Sequence, residues 1–421
     1  MSMRIKFLLL LFGLTYWVQL GLAQQKKVVF IILDGIPAQD LERVATPNLD
    51  QIASQGGYAR AYSGGEAGGF SESPTISAVG YNTLLTGTWA HKHQVWGNGI
   101  EAPNYQYWTI FRYLREARPD AKLAIFSTWQ DNRTKLLGEN LPQTNYLRLN
   151  QSLDGLELDT LRYPHDAQSD YIHQIDQKVA EEAATYLATQ GPDLTWVYLQ
   201  YTDDMGHKFG RGPAMDAAIQ KADAQVGLIW QAIQQRQQKC EDWQLWVTTD
   251  HGRKEPDGKD HGGQSDAERE IWISTNAKDL NARFHSGQAA MVDVLPSMIR
   301  FFNLVVPEHQ ERELDGVPLT GPLSLSNLTL VGKGKKQLLT WTPGPQSETL
   351  SVYWSPTDHF GEGSQDEYFL VGEVPSDAKQ YALPPDLGKK DFFKVLVVGK
   401  SNSANTWRVS GNTNRKSKKS K

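Results

Sequence analysis

The chain has 421 residues, 39% hydrophobic and 22% charged, which exceeds one ordinary core and predicts two domains of a globular protein. A net charge of -5 excludes an electrostatic case for duplex nucleic acid or an anionic membrane as partner. The single cysteine, Cys240, excludes an intrachain disulfide.

In chain order, the first feature is export-like. Arg4 and Lys6 precede a mostly apolar stretch from Phe7 to Ala23, with small Gly21 and Ala23 at its end. This predicts a cleavable signal over residues 1–23 and a periplasmic or secreted protein. No stable membrane insertion is expected after cleavage, since the run is short for a span and carries Gln19.

Short apolar runs then recur: Val28 to Leu33, Leu123 to Phe126, Trp196 to Leu199, Leu245 to Thr248 and Ile271 to Ile273. Continuous rather than alternating hydrophobicity predicts parallel strands buried on both faces. Helical stretches lie between them. Thr46-Pro47-Asn48 begins one, with Thr46 as the cap and Pro47 in the first turn. Asp170 to Ala188 and Pro213 to Gln238 are longer. The alternation predicts an α/β fold, a doubly wound, mostly parallel sheet flanked by helices, over residues 24–320. Beyond Gly321 short alternating segments with Gly and Pro turns predict a small β-sandwich, weakly fibronectin type III-like, over 321–410. A basic tail, 411–421, is expected to be disordered.

Ligands in such sheets bind beyond the carboxyl ends of the strands. Asp34, Asp203 with His207, and Asp250 with His251 all follow apolar runs closely, and His261 lies in a Gly- and Asp-rich loop. Carboxylate and imidazole form the ligand set of zinc and similar divalent ions. Each has a plainer reading as a cap, turn or loop residue. Asp204 competes with Asp203, and His285 competes with His261. His91 and His93 read as surface residues or as support behind the ligands. Ser77 stands near the start of a helix ending at Gly87, where the dipole favours an anion, and Thr75 is the competing hydroxyl. Six ligands and one hydroxyl would fill two metal sites and supply a nucleophile. That pattern predicts hydrolysis of phosphate esters by two-metal catalysis. Phe70, Tyr81 and Trp129 are candidates to stack on a leaving group.

These pieces resemble the alkaline phosphatase superfamily, closest to its nucleotide pyrophosphatase/phosphodiesterase branch. The matching segments are Leu33-Asp34-Gly35, Thr46-Pro47-Asn48-Leu49-Asp50, Thr83-Leu84-Leu85-Thr86-Gly87, Asp203 to His207, Asp250-His251-Gly252 and Val292-Asp293-Val294-Leu295-Pro296, across about residues 28–319. The resemblance implies that Ser77, six residues before Thr83, is the nucleophile and passes through a phosphoserine. It implies that Asp203, His207 and His261 hold one ion, and that Asp34, Ser77, Asp250 and His251 hold the other, with zinc as the expected metal. The expected partner is a small phosphate ester or nucleotide.

There are departures. An asparagine touching a phosphoryl oxygen is expected near the nucleophile, but Gly80 stands three residues on, with Asn82 beside it. Val79 and Tyr81 fill the places of the sulfatase Pro and Arg. Ile76 and Tyr81 fill those of the monoesterase Asp and Arg. The absent arginine clamp points to diesters. The alternatives are a phosphomonoesterase or sulfatase-type hydrolase on the same site, or a non-catalytic surface-binding protein.

Overall fold

The computed structural model describes residues 24–333 and 336–409. The expected signal and the basic tail lie outside the described residues. The main sheet comprises β1 (Gln25–Leu33), β2 (Gly57–Tyr62), β3 (Leu123–Ser127), β4 (Gln151–Leu153), β5 (Leu194–Leu199), β6 (Glu241–Thr248), β7 (Glu270–Thr275) and β8 (Ala289–Ala290). Their order across the sheet is β4-β3-β5-β1-β6-β7-β2-β8. Strand β1 runs parallel to both neighbours, with Ile32 beside Tyr198 of β5 and Thr248 of β6.

The run Ile271 to Ile273 is a strand, but not a parallel one. β7 runs antiparallel to both β6 and β2. The connection over residues 249–269, which carries His261, brings the chain back alongside β6 at the end it has just left. Its one helix, Asp266–Arg269, has four residues and spans only about 6 Å, too little to carry the chain along the sheet to the other end as a crossover helix does.

Burial on two faces explains the apolar runs. Val28, Phe30 and Ile32 pack on one side with Val79, Leu84 and Leu85 of the helix Ser77–Thr86 and with the helix Val294–Phe302. Val29, Ile31 and Leu33 pack on the other with Ile175 and Val179 of the helix Asp170–Gln190 and Ile229 and Ile233 of the helix Pro213–Gln237. Successive strand side chains point to opposite faces, so no residue from Val28 to Leu33 reaches solvent.

The helix Pro47–Gln55 starts at Thr46 as expected, but the Thr46 side chain makes no capping bond. Asp223 does so from the neighbouring helix, accepting from the Asn48 and Leu49 amides at 3.2 and 2.9 Å. Asp176 acts alike on the helix Tyr201–Phe209. It accepts from the Gln200 and Tyr201 amides at 3.1 and 2.8 Å and so fixes the helix that carries Asp203 and His207.

Residues 325–409 form a three-stranded antiparallel sheet and a four-stranded one. Leu325, Leu339, Leu350, Val352, Phe393, Val395 and Val397 share one core between them, with Trp341 buried in it. A charged layer joins this module to the rest of the chain. Lys394 pairs with Glu313 and Asp358 at 2.9 Å each and with Asp366 at 2.8 Å. Lys92 pairs with Asp315 at 2.6 Å, and both ammonium groups lie over the Trp407 ring. Phe70 stacks on Trp407 with centroids 5.9 Å apart, and His91 meets the same ring edge-on at 4.7 Å.

Three expectations are corrected here. His91 and His93 are not surface residues: both are buried. His91 lies in the seam against Trp407, and His93 stands beside the Thr83 hydroxyl at 3.1 Å. Burial lowers the His93 imidazole to about 3 and keeps it neutral. Phe70 serves the seam rather than a substrate.

Candidate active site

The seven residues singled out in the sequence meet at the carboxyl edge of the main sheet. Asp34 follows β1 directly, and its amide donates to the Leu199 carbonyl of β5 at 3.1 Å. Gly35, with φ of +64°, turns the chain there. Its amide donates to Asp250 Oδ1 at 3.0 Å, and the next amide, of Ile36, donates to Thr249 Oγ1 at 2.9 Å. The ends of β1 and β6 are thereby locked together.

Asp34, Asp250 and His251 form one group and Asp203, His207 and His261 a second, with the ligand-type atoms of each group within 4.8 Å of one another. In the first, His251 Nε2 lies 3.4 Å from Asp34 Oδ1, 3.2 Å from Asp250 Oδ2 and 3.5 Å from Ser77 Oγ. Atoms held at roughly 2.05 Å from a tetrahedral zinc ion would be about 3.3 Å apart. Asp34 Oδ1 and Asp250 Oδ2 are moreover buried with no hydrogen-bond partner, an arrangement that costs free energy unless a cation meets them. In the second group His207 Nε2 lies 3.3 Å from Asp203 Oδ2 and 3.1 Å from His261 Nε2. The His251 and His261 rings stack with centroids 3.7 Å apart, so the groups adjoin. Both donor sets fit a divalent ion.

Backbone groups orient the imidazoles. His251 Nδ1 lies 2.9 Å from the Gly252 carbonyl, and His261 Nδ1 lies 2.8 Å from the Thr75 carbonyl. A proton on each Nδ1 leaves Nε2 as the free electron pair. Tyr81 and Tyr198 both donate to Asp34 Oδ2, Tyr198 at 2.7 Å, which turns Oδ1 toward His251.

Charge is concentrated here. Burial, then repulsion from Asp250 and Asp203, pushes the Asp34 carboxyl far above the usual range, against the two tyrosine hydrogen bonds. Burial also raises Asp250, partly offset by the Gly35 amide. For Asp203 burial is outweighed by the His207 bond and the Arg253 charge, and its carboxyl stays below the usual range. Burial keeps the imidazoles of His251 and His261 neutral, whereas the bond to Asp203 raises His207.

Ser77 opens the helix Ser77–Thr86, which ends at Gly87 in the left-handed conformation. The rivals lie elsewhere. The Thr75 hydroxyl donates to the Gly263 carbonyl at 2.9 Å and accepts from the Gly262 amide at 3.0 Å, so it fastens the His261 loop. Asp204 turns to Ser169 and Gln200, and His285 is exposed beside Phe284. Tyr81, expected in a loop beside substrate, is buried in the helix with its hydroxyl on Asp34. Trp129 follows β3 and is half-buried against Tyr81.

Two residues escaped the sequence reading. Asn98, exposed on the loop after His93, accepts from the Ala78 amide at 3.0 Å and stands at the mouth of the Ser77 helix. Nothing local marks an asparagine 20 positions away as the partner of this helix. Arg253 is 2% exposed and donates to Asp203. Its signal was its place directly after Asp250-His251-Gly252, where a buried guanidinium must find acceptors.

The family model for type I phosphodiesterase / nucleotide pyrophosphatase matches residues 28–320. A comparison with curated proteins gave no match. Among solved structures, a putative sulfatase from Bacteroides thetaiotaomicron is similar with a TM-score of 0.52 and 12% identity, over 83% of this chain and 86% of that one. Ps i-CgsB, solved with k-i-k-neocarrahexaose, gives 0.50 and 14% over 77% and 84%. Human ectonucleotide pyrophosphatase / phosphodiesterase 5 gives 0.45 and 14% over 68% and 96%. At these identities the likeness is one of fold.

Proposed function

The chain belongs to the type I phosphodiesterase / nucleotide pyrophosphatase family, and from that premise we propose that it is a metal-dependent hydrolase of phosphate diesters with Ser77 as nucleophile. The observation that carries this reading is the meeting of Ser77 Oγ with the partnerless oxygens of Asp34 and Asp250 around His251. Asp34, Asp250, His251 and Ser77 would hold one divalent ion, and Asp203, His207 and His261 the other. Zinc is the expected metal, since mixed oxygen and imidazole donors suit it. Such ions, when bound, supply positive charge to the phosphoryl oxygens and acidify the serine hydroxyl.

The chain's own residues do the rest. The Ser77 helix aims its positive end at the incoming phosphoryl group. The Asn98 amide beside Ala78 is placed to steady a phosphoryl oxygen. Ser77 Oγ gives up its proton to water and forms a bond to phosphorus while the bond to the departing alkoxide breaks, and the alkoxide takes up a proton from water, so that no net proton is lost. Water then attacks the phosphoserine, releases the phosphate monoester and returns the serine. The half-exposed His207 marks the side from which substrate and water arrive.

A diester is favoured over a monoester or a sulfate because Arg253, the guanidinium at the ligands, has its donors engaged by Asp203 and backbone carbonyls. No arginine on the Ser77 helix is free for a second phosphate charge. Export to the periplasm or beyond, argued from Arg4, Lys6 and the apolar run to Ala23, belongs to the same proposal. The test is Ser77→Ala assayed on chromogenic diester, monoester and sulfate substrates. Expected is wild-type folding and ion content with turnover reduced at least ~1,000-fold, and wild-type preference for the diester. Near-normal turnover in the variant would move the nucleophile elsewhere.

A further inference from the structure

Four separate segments carry the ligand-type residues: the turn after β1, the helix Tyr201–Phe209, the end of β6, and the loop to His261. One side chain reaches all of them. Arg253 follows His251 by two positions in the chain. Its Nε–H donates to the Gly35 carbonyl, next to Asp34, at 2.9 Å. Its Nη2 donates to the Asp203 carbonyl at 2.9 Å and also to Asp203 Oδ1. Its Nη1 faces the carbonyls of Gly258 and Lys259 at 3.4 and 3.3 Å, just before His261.

Room for this guanidinium is built into the backbone. A Cβ on Gly206 would lie 2.1 Å from Arg253 Cζ. One on Gly35 would lie 2.7 Å from both Arg253 Nη2 and Asp203 Oδ1. The loop it holds is pinned a second time, since the Arg211 amide donates to the Asp257 carbonyl at 2.9 Å. A planar fork with five donors and a permanent charge meets this set of acceptors, whereas an ammonium group could not span them. With Oδ1 occupied, Asp203 keeps Oδ2 toward His207.

We propose that Arg253 is a positioning residue: it orients Asp203 to meet an ion through one oxygen and holds the His261 loop, so that the Asp203–His207–His261 site stands assembled before an ion arrives. This rests on the reading of the two ligand groups given above. The guanidinium paired with Asp203 also offsets the charge of the one carboxylate that faces both Asp34 and Asp250 in the ion-free protein.

The test uses the full chain and its Arg253→Met and Arg253→Lys variants, with zinc titrated against a chromophoric chelator. The wild type is expected to hold two zinc ions tightly. In Arg253→Met one site should be unchanged while the dissociation constant of the other rises about 10- to 100-fold, with Arg253→Lys between. Turnover of Arg253→Met should be low at limiting zinc and return as zinc saturates the weakened site, which loss of mere packing would not produce. Two unchanged zinc affinities in Arg253→Met would overturn the proposal. Should that variant fail to fold, Gly206→Ala displaces the guanidinium while retaining it, and two unchanged affinities there would overturn the proposal equally. A wild type that binds no zinc sinks the hydrolase reading and this one together; a wild type with two ions beside an indifferent variant sinks this one alone.

Discussion

Gly80 offers a sharp perturbation, because two known effects oppose each other there. It lies in the interior of the helix Ser77–Thr86, packed against the end of β6. A Cβ at this position would stand 2.9 Å from Asp250 Cβ, 2.9 Å from its carbonyl oxygen and 3.3 Å from its Cα. Ordinary carbon contacts begin near 3.5 Å, and the obstacle is mostly backbone, which cannot rotate aside. Gly→Ala at an open helical position stabilises by about 1 kcal/mol, while overpacking a full core costs about 1–3 kcal/mol. Gly80→Ala should therefore destabilise by up to about 2 kcal/mol net, reverse in sign to the propensity effect alone. The strain falls between Ser77 and Asp250, so zinc affinity and turnover should drop with it. Urea unfolding monitored by tryptophan fluorescence, beside a diester assay, reads both. A Gly80→Ala protein that is about 1 kcal/mol more stable than wild type, with full activity, would refute this packing argument. Gly80→Asn should be worse still, since it brings the same Cβ contacts with Asp250 and adds an amide beyond them.

Two other outcomes follow from buried charge. Lys394→Met leaves Glu313, Asp358 and Asp366 without their shared cation; a loss of about 3–5 kcal/mol in urea unfolding is expected, and a loss under 1 kcal/mol would show that the seam is not held this way. In ion-free protein Asp34 is raised and Asp250 is pushed up to about 7, so the folded state prefers their protons. Their contribution is then complete below the unfolded carboxylate pKa of about 4 and is lost as pH rises through about 7. The melting temperature of chelator-treated protein should fall across that window, less so in Asp250→Asn, and added zinc should reverse the trend. A flat profile in ion-free wild type would contradict it.

The strands were legible where both faces are covered, as in Val28 to Leu33, because burial then leaves no polar position to blur the run. β2 was not seen, since Arg60 and Tyr58 keep it half-exposed, and β4 and β8, of three and two residues, are too short to show a pattern. The direction of β7 was not legible, because a run of Ile and Trp reads the same either way. The ligand-type residues could be named from their places after strands, yet their grouping depended on where the loop to His261 returns. Thr46 illustrates the opposite failure. Its cap signature marked the helix start, while Asp223, 175 positions away, makes the bond. Tyr81 and Arg253 reach Asp34 and Asp203 through contacts that no local pattern encodes.

The central place of β1 bears on how the molecule comes into being. Its first partners arrive late: the Tyr198 hydroxyl reaches Asp34 across 164 positions, and Asp250 reaches the Gly35 amide across 215. Closing such long loops is entropically dear and kinetically slow. Synthesis that has stopped short of Asp250 leaves Asp34 at the end of an unfinished sheet. On the proposed reading an ion would then meet a finished cradle rather than template it, and zinc offered to the unfolded chain would act as a trap for stray imidazole and carboxylate pairs rather than as a guide.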